Sequence, residues 1–154
     1  MGSSPRGQIR FGVGFEEDSE FPWDDGKYYG IDGWWEDVKG YKPKHQPFDS
    51  EGDYAEGWSS GDPRFAEHDA QLEEWRRNNP MPVEVDSHGT GDYPLCMLVV
   101  PGYGLTSDWD TTIISMDDLS PPPQEKIDAW VAFMDEYGIE YEGEPAWILS
   151  GYFG

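Results

Sequence analysis

A chain of 154 residues suits one domain, and 8 Trp, 9 Tyr and 7 Phe let it bury a core although only 36% of its residues are apolar. Its 32 acidic against 10 basic residues leave a formal charge of −22, which excludes nucleic acid and anionic membranes as direct ligands and makes a cationic partner the natural counterpart. A single cysteine, Cys96, excludes an internal disulfide framework and fits a reducing cytoplasm, and no apolar run approaches the roughly 20 residues of a membrane span.

Residues 1–7 read as a flexible tail, and 8–154 as a single domain. Ile9, Phe11, Val13 and Phe15 alternate with Arg10, Gly12 and Gly14, which predicts a strand over 8–15. Residues 16–25 carry six acids around Phe21-Pro22-Trp23 and predict a loop anchored by its aromatics. Ile31, Trp34, Trp35 and Val38 fall at i, i+3, i+4 and i+7, the stripe of a short helix that Gly40 stops. Residues 40–61 form a long loop with Tyr41, Phe48, Tyr54 and Trp58 spaced along it. Asp62-Pro63 opens a helix as N-cap and first position, and the helix ends near Asn78, before Pro80.

Met81–Asp86 predicts a short strand, and Ser87–Asp92 a turn. The turn leads into Tyr93–Pro101, whose stretch Leu95–Val100 carries no polar side chain. Such a run predicts a strand buried on both faces, the centre of the core, paired with the preceding strand as a hairpin. Gly102–Gly104 and Ser107–Asp110 read as loop, and Thr111–Ser115 as a weak strand. Pro122–Tyr137 is the strongest helix, with Ile127, Trp130, Val131 and Met134 on one stripe and Gly138 as its stop. Ala146–Ser150 predicts a last strand beside the central one. The order specifies an α+β fold, a largely antiparallel sheet of four or five strands packed against two longer helices and one short one.

No reaction is spelled out. H-E-x-x-H, G-x-S-x-G and cysteine pairs at zinc spacing are missing from the sequence. Cys96 reads as a small core residue. Asp86/His88/Asp92 and Asp49/Glu51/Asp53 carry oxygen and nitrogen ligands, but a solvated turn is the better reading of each. Catalytic residues, metal ligands and cofactors are therefore assigned to none of these positions, and the chain reads as a non-enzyme.

The charge itself is the signal. Residues 78–154 hold 14 acids and one base, Lys126. Duplex DNA carries one charge per about 1.7 Å, so 22 carboxylates match roughly 37 Å of duplex. Carboxylates two apart on a strand, about 6.6–6.8 Å, are spaced comparably to phosphates. Asp108/Asp110, Asp117/Asp118, Asp135/Glu136 and Glu140/Glu142/Glu144 are the first choice for a partner-binding face. The loop residues Glu16, Glu17, Asp18, Glu20, Asp24 and Asp25 are the second. A competing reading is a non-mimic binding module that uses exposed aromatics such as Trp23, Trp58 and Trp109, and a carboxylate hydrolase or virion component ranks below both.

With its acidity, its aromatics and segments such as Phe21-Pro22-Trp23-Asp24, Trp34-Trp35 and Gly40-Tyr41-Lys42-Pro43, the chain resembles small acidic bacteriophage accessory proteins, loosely the DNA-mimicking inhibitors of restriction and CRISPR enzymes. The resemblance implies an inhibitor acting in the host cytoplasm on the basic surface of a DNA- or RNA-binding protein. It transfers no functional residue.

Overall fold

The computed structural model describes residues 5–90, 93–108 and 113–153. Seven elements follow in order: β1 (Pro5–Phe15), α1 (Gly30–Val38), α2 (Arg64–Asn78), β2 (Glu84–Thr90), β3 (Tyr93–Asp108), α3 (Gln124–Glu136) and β4 (Ala146–Phe153). The fold is α+β, with one four-stranded sheet of order β2-β3-β1-β4, antiparallel throughout. The chain divides into two compact units, residues 1–27 with 82–154, and residues 28–81.

The first unit contains the whole sheet and α3. As the apolar run demands, Met97, Leu98, Val99 and Val100 are all buried, Leu98 completely. Five expectations need correction. β1 begins at Pro5, so residues 5–7, read as part of a tail, are strand paired with β4. β2 starts at Glu84 and continues through Ser87–Thr90, because an outer strand tolerates the polar, turn-like residues that read as a loop. β3 runs on through Gly102–Gly104 to Asp108. β4 pairs with β1 rather than with β3, so the first strand, and not the last, lies beside the central one on that side. Of the strand expected over 111–115, the described part, Ile113–Ser115, is not a strand, and residues 111–112 lie outside the described residues.

The glycines that read as punctuation mark a corner instead. Between Arg10↔Gly104 and Gly12↔Val99, β1 advances two residues while β3 advances five, so residues 100–103 bulge out of the ladder. Gly102 and Gly104 take positive φ there, +85° and +138°. A Cβ on Gly12 would lie inside the van der Waals contact of the Leu98 carbonyl oxygen and 2.7 Å from Val99 Cα. The two backbones can cross at the corner only without that atom.

Bending at the corner curls the sheet. Three strand intervals would hold β2 and β4 about 14 Å apart in a flat sheet, yet their Cα atoms approach within 8 Å. Paired residues share a face, so Gln8, Arg10, Gly12, Gly14, Asp86, Met97, Ile148 and Ser150 all lie on one side. Arg10 Nε donates to Asp86 Oδ2 at 3.0 Å across the intervening strand, and Nη2 donates to Thr106 Oγ1 at 3.1 Å. That reach identifies this side as the concave one. On the other face Phe11 meets Trp147 edge to face at 5.2 Å, and the Trp147 indole donates to Leu119 O. α3 packs against β3 and contributes Trp130, Phe133 and Met134 to the core, Phe133 lying off the stripe read from the sequence.

The second unit contains α1 and α2. Trp34 and Trp35 are buried as expected, and Trp35 Nε1 donates to Asn79 O at 3.0 Å. Tyr41 packs on Trp75, and Phe48 pairs with Tyr54 across a small bridge that folds the long loop. Asp62 Oδ1 accepts from the Arg64 backbone N–H at 2.9 Å, but α2 begins one residue later than read from the sequence, with Pro63 at the cap position and no side-chain hydrogen bond from it. The Arg64 side chain, then its backbone N–H, hold the Asp62 carboxyl down to about 2, and His45, then Lys44, hold Glu67 down to about 2. Both carboxyls bind protons more weakly folded than unfolded. Their stabilisation is complete above the ordinary carboxylate range and is lost as pH falls toward 2. Glu67→Gln is expected to narrow the drop in melting temperature between neutral and acid solution; an unchanged drop would contradict the pairing.

Candidate partner-binding surface

The loop 16–25 and the segment after α3 are remote in sequence but flank the same depressions. Phe21 and Trp23 pin the loop to the core, stacked at 5.0 Å with planes 6° apart, and Phe15 meets Phe21 edge to face at 5.0 Å. Asp24 Oδ2 accepts from the Phe21 N–H, and Asp25 Oδ1 accepts from the Lys27 N–H, so these two carboxylates also shape their own turns. On the other side Gly138, at φ +67°, ends the last turn of α3, and Ile139 and Tyr141 turn inward, Tyr141 edge-on to Trp130 at 5.0 Å. Glu140 and Glu142 alternate with them and stay exposed. Apolar anchors set among exposed acids thus build both banks.

Between the banks lies a pocket of about 670 Å³ on the concave face. Met97 and Ile148 supply its apolar lining on that face, Leu149 pointing to the opposite one with Ile9 and Trp147, and Glu16, Glu140 and Glu142 supply its charge. It shares Phe15, Ser19 and Glu140 with a cleft of about 520 Å³ that adds Glu20 and Tyr137. Asp135 joins Glu140 and Glu142 in a further depression, and Glu17 and Asp24 line a smaller one of about 290 Å³ beside Cys96. Among the described residues none of Glu16, Glu17, Glu20, Glu140 and Glu142 makes an ion pair. The sheet unit as a whole holds 20 acids against 4 bases, net −16.

Seven of the sequence-chosen acids therefore come together: Glu16, Glu17, Glu20, Asp24, Asp135, Glu140 and Glu142. Asp18, Asp25, Glu136 and Glu144 are exposed but line none of these depressions. Asp117 and Asp118 sit in a separate turn, where the Ser115 backbone N–H and hydroxyl hold the Asp118 carboxyl below its ordinary range. Asp110, and the side chain of Asp108, lie outside the described residues. The apolar lining was not foreseen.

The aromatics named as exposed contacts need correction. Trp23 is 5% exposed and belongs to the core, because its stack on Phe21 anchors the loop. Trp58 is half-buried beneath Arg64, whose guanidinium lies 4.0 Å from the ring centroid. Trp109 lies outside the described residues.

Among the described residues no three His, Cys, Asp or Glu side chains converge as metal ligands, and no helix is long and apolar enough to cross a membrane. Cys96 is a free thiol, pushed up to about 11 by burial and then by Asp24 and Asp86. Alkylation at about pH 8 is expected to be more than about tenfold slower in the folded protein than in the unfolded chain. Equal rates would contradict the placement of this thiol.

No family model matches the chain, and comparison with curated proteins and with solved structures returned no similar protein.

Proposed function

We propose that this protein is an acidic inhibitor of the bacteriophage type, which binds a host nucleic-acid-processing or defence protein and presents its carboxylates to the cationic groove that normally receives DNA or RNA. The carrying observation is the convergence of two remote acidic segments on connected depressions of the sheet unit, with Glu16, Glu20, Glu140 and Glu142 free of ion pairs among the described residues. A fixed anionic surface of this kind steers a basic partner from a distance and displaces its counterions, as a phosphate backbone does. The anchoring of both banks by buried aromatics supports a stiff array rather than a solvated tail.

A second reading rests on Phe48 and Tyr54, half exposed and stacked at 5.5 Å in the helical unit. It makes an aromatic contact the main one and the charge incidental. One experiment separates the two. The protein is immobilised, exposed to a bacterial lysate, and eluted with duplex DNA or with salt. The mimic reading expects a nucleic-acid-binding protein that DNA and salt both release. A captured protein released by neither would contradict it and favour the aromatic patch.

A further inference from the structure

β4 ends the sheet on an unguarded edge. Among the described residues its ladder is with β1 alone, so one row of its backbone N–H and C=O groups has no strand beside it. β2 comes near β4, but the corner divides the two. β2 pairs with β3 no further than Val99, whereas residues 149–153 of β4 pair with 5–9 of β1, beyond the bulge, where β1 in turn pairs with 105–108 of β3. Edge strands are ordinarily blunted by charge or proline. In a chain of which 27% is charged, β4 has neither along Ala146–Phe153. We infer that this edge takes the β4 strand of a second copy of the chain, antiparallel about a two-fold axis, so that two sheets become one.

Charge selects the occupant. Leu105, Ile9 and Leu149 form one row across β3, β1 and β4, and Ser107, Gly7 and Gly151 form the next row on the same face. None of the six is charged, and Leu149 is 80% exposed. A cationic segment gains no ion pair from such a row, and an acidic one is repelled by a unit of net −16. The strand that fits is uncharged and extended, as β4 itself is. Two copies that each carry −22 repel, so they meet only where neither exposes charge. Pairing β4 with its equivalent satisfies the free edge of both, joins the two apolar rows through Leu149, and is closed by its own symmetry. The pairing has a salt signature opposite to that of a cationic groove: screening weakens binding to a basic partner but relieves the repulsion between two acidic copies.

Sedimentation velocity of the full chain over a concentration series tests the pairing. A monomer–dimer equilibrium is expected, with a dissociation constant that falls by about threefold or more between about 50 and 500 mM salt. Leu149→Lys puts a charge on the edge at an exposed position, where the fold tolerates it, and is expected to weaken the dimer by about tenfold or more. Ala132→Lys adds the same charge at an exposed position of α3 and is expected to change the constant by no more than about twofold. Hydrogen exchange of the amides in 149–153 is expected to slow as protein concentration rises.

A chain that stays monomeric throughout would overturn the pairing and leave the polyanion reading intact. A dimer loosened by salt, or one that the two lysine variants weaken equally, would overturn it as well. Protection of 149–153 that depends on the captured partner and not on protein concentration would give the edge to a strand of that partner and overturn the second copy as its occupant.

Discussion

Gly104→Ala is expected to destabilise the sheet unit by about 3 kcal/mol or more, a large part of the stability of a typical domain. Two costs combine. The residue sits at φ +138°, where a side chain is strained, and its Cβ would press on the Ile9 carbonyl oxygen and approach Arg10 Nη1 to 2.7 Å. The first neighbour is backbone and cannot swing away. Moving it would disturb the β1–β3 ladder, and moving Arg10 would break the bond to Asp86 that spans the curl. Gly12→Ala meets Leu98 and Val99 backbone from the other strand and is expected to cost about 1–3 kcal/mol through overpacking alone. Gly7→Ala is the control, since nothing lies within 4 Å of its added Cβ, and it is expected to shift stability by no more than about 1 kcal/mol. Guanidinium denaturation followed by circular dichroism reads all three. Three equal midpoints would contradict the corner.

Trp130→Ala is expected to cost about 3–5 kcal/mol, because the ring is 0% exposed and its loss leaves a large cavity between α3 and the sheet. Trp130→Phe separates packing from polarity. The indole Nε1 is buried with no hydrogen-bond partner among the described residues. Phenylalanine keeps most of the ring, including the edge contact with Tyr141, and removes the unpaired donor. Its cost is expected to be less than about half that of alanine, since an unsatisfied buried donor is itself worth about 1–3 kcal/mol. Equal costs for the two substitutions would contradict this environment for the indole.

The sequence shows the parts of this fold that have a period. The run from Leu95 to Val100 needs two covered faces, and the structure buries Met97 and Leu98, whose side chains point to opposite sides. The stripes of α1 and α3 bury Trp34 and Trp35 in one unit, and Trp130 and Met134 in the other, for the same reason. What has no period is hidden. Gly102 and Gly104 have the composition of a turn, and only the partner strand shows that they bulge within a continuing ladder. The neighbour of β4 is a question of sheet order, on which its apolar residues are silent.

The candidate surface divides in the same way. Acidity is written in the composition, so Glu16 and Glu140 could both be chosen from sequence. Their placement on one pocket depends on the curl of the sheet, which two glycines at a corner permit. Ser150 and Gln8 looked like ordinary strand residues until their register and burial brought out two unpaired polar atoms on one face.

Affinity for the captured partner as a function of salt tests the central claim most directly. If the carboxylates of the sheet unit are read by a cationic groove, the affinity falls by at least about tenfold between about 50 and 200 mM salt, and the slope is shallower for Glu16→Gln combined with Glu140→Gln and Glu142→Gln. An affinity flat across that range, or a slope that the triple substitution leaves unchanged, would contradict it.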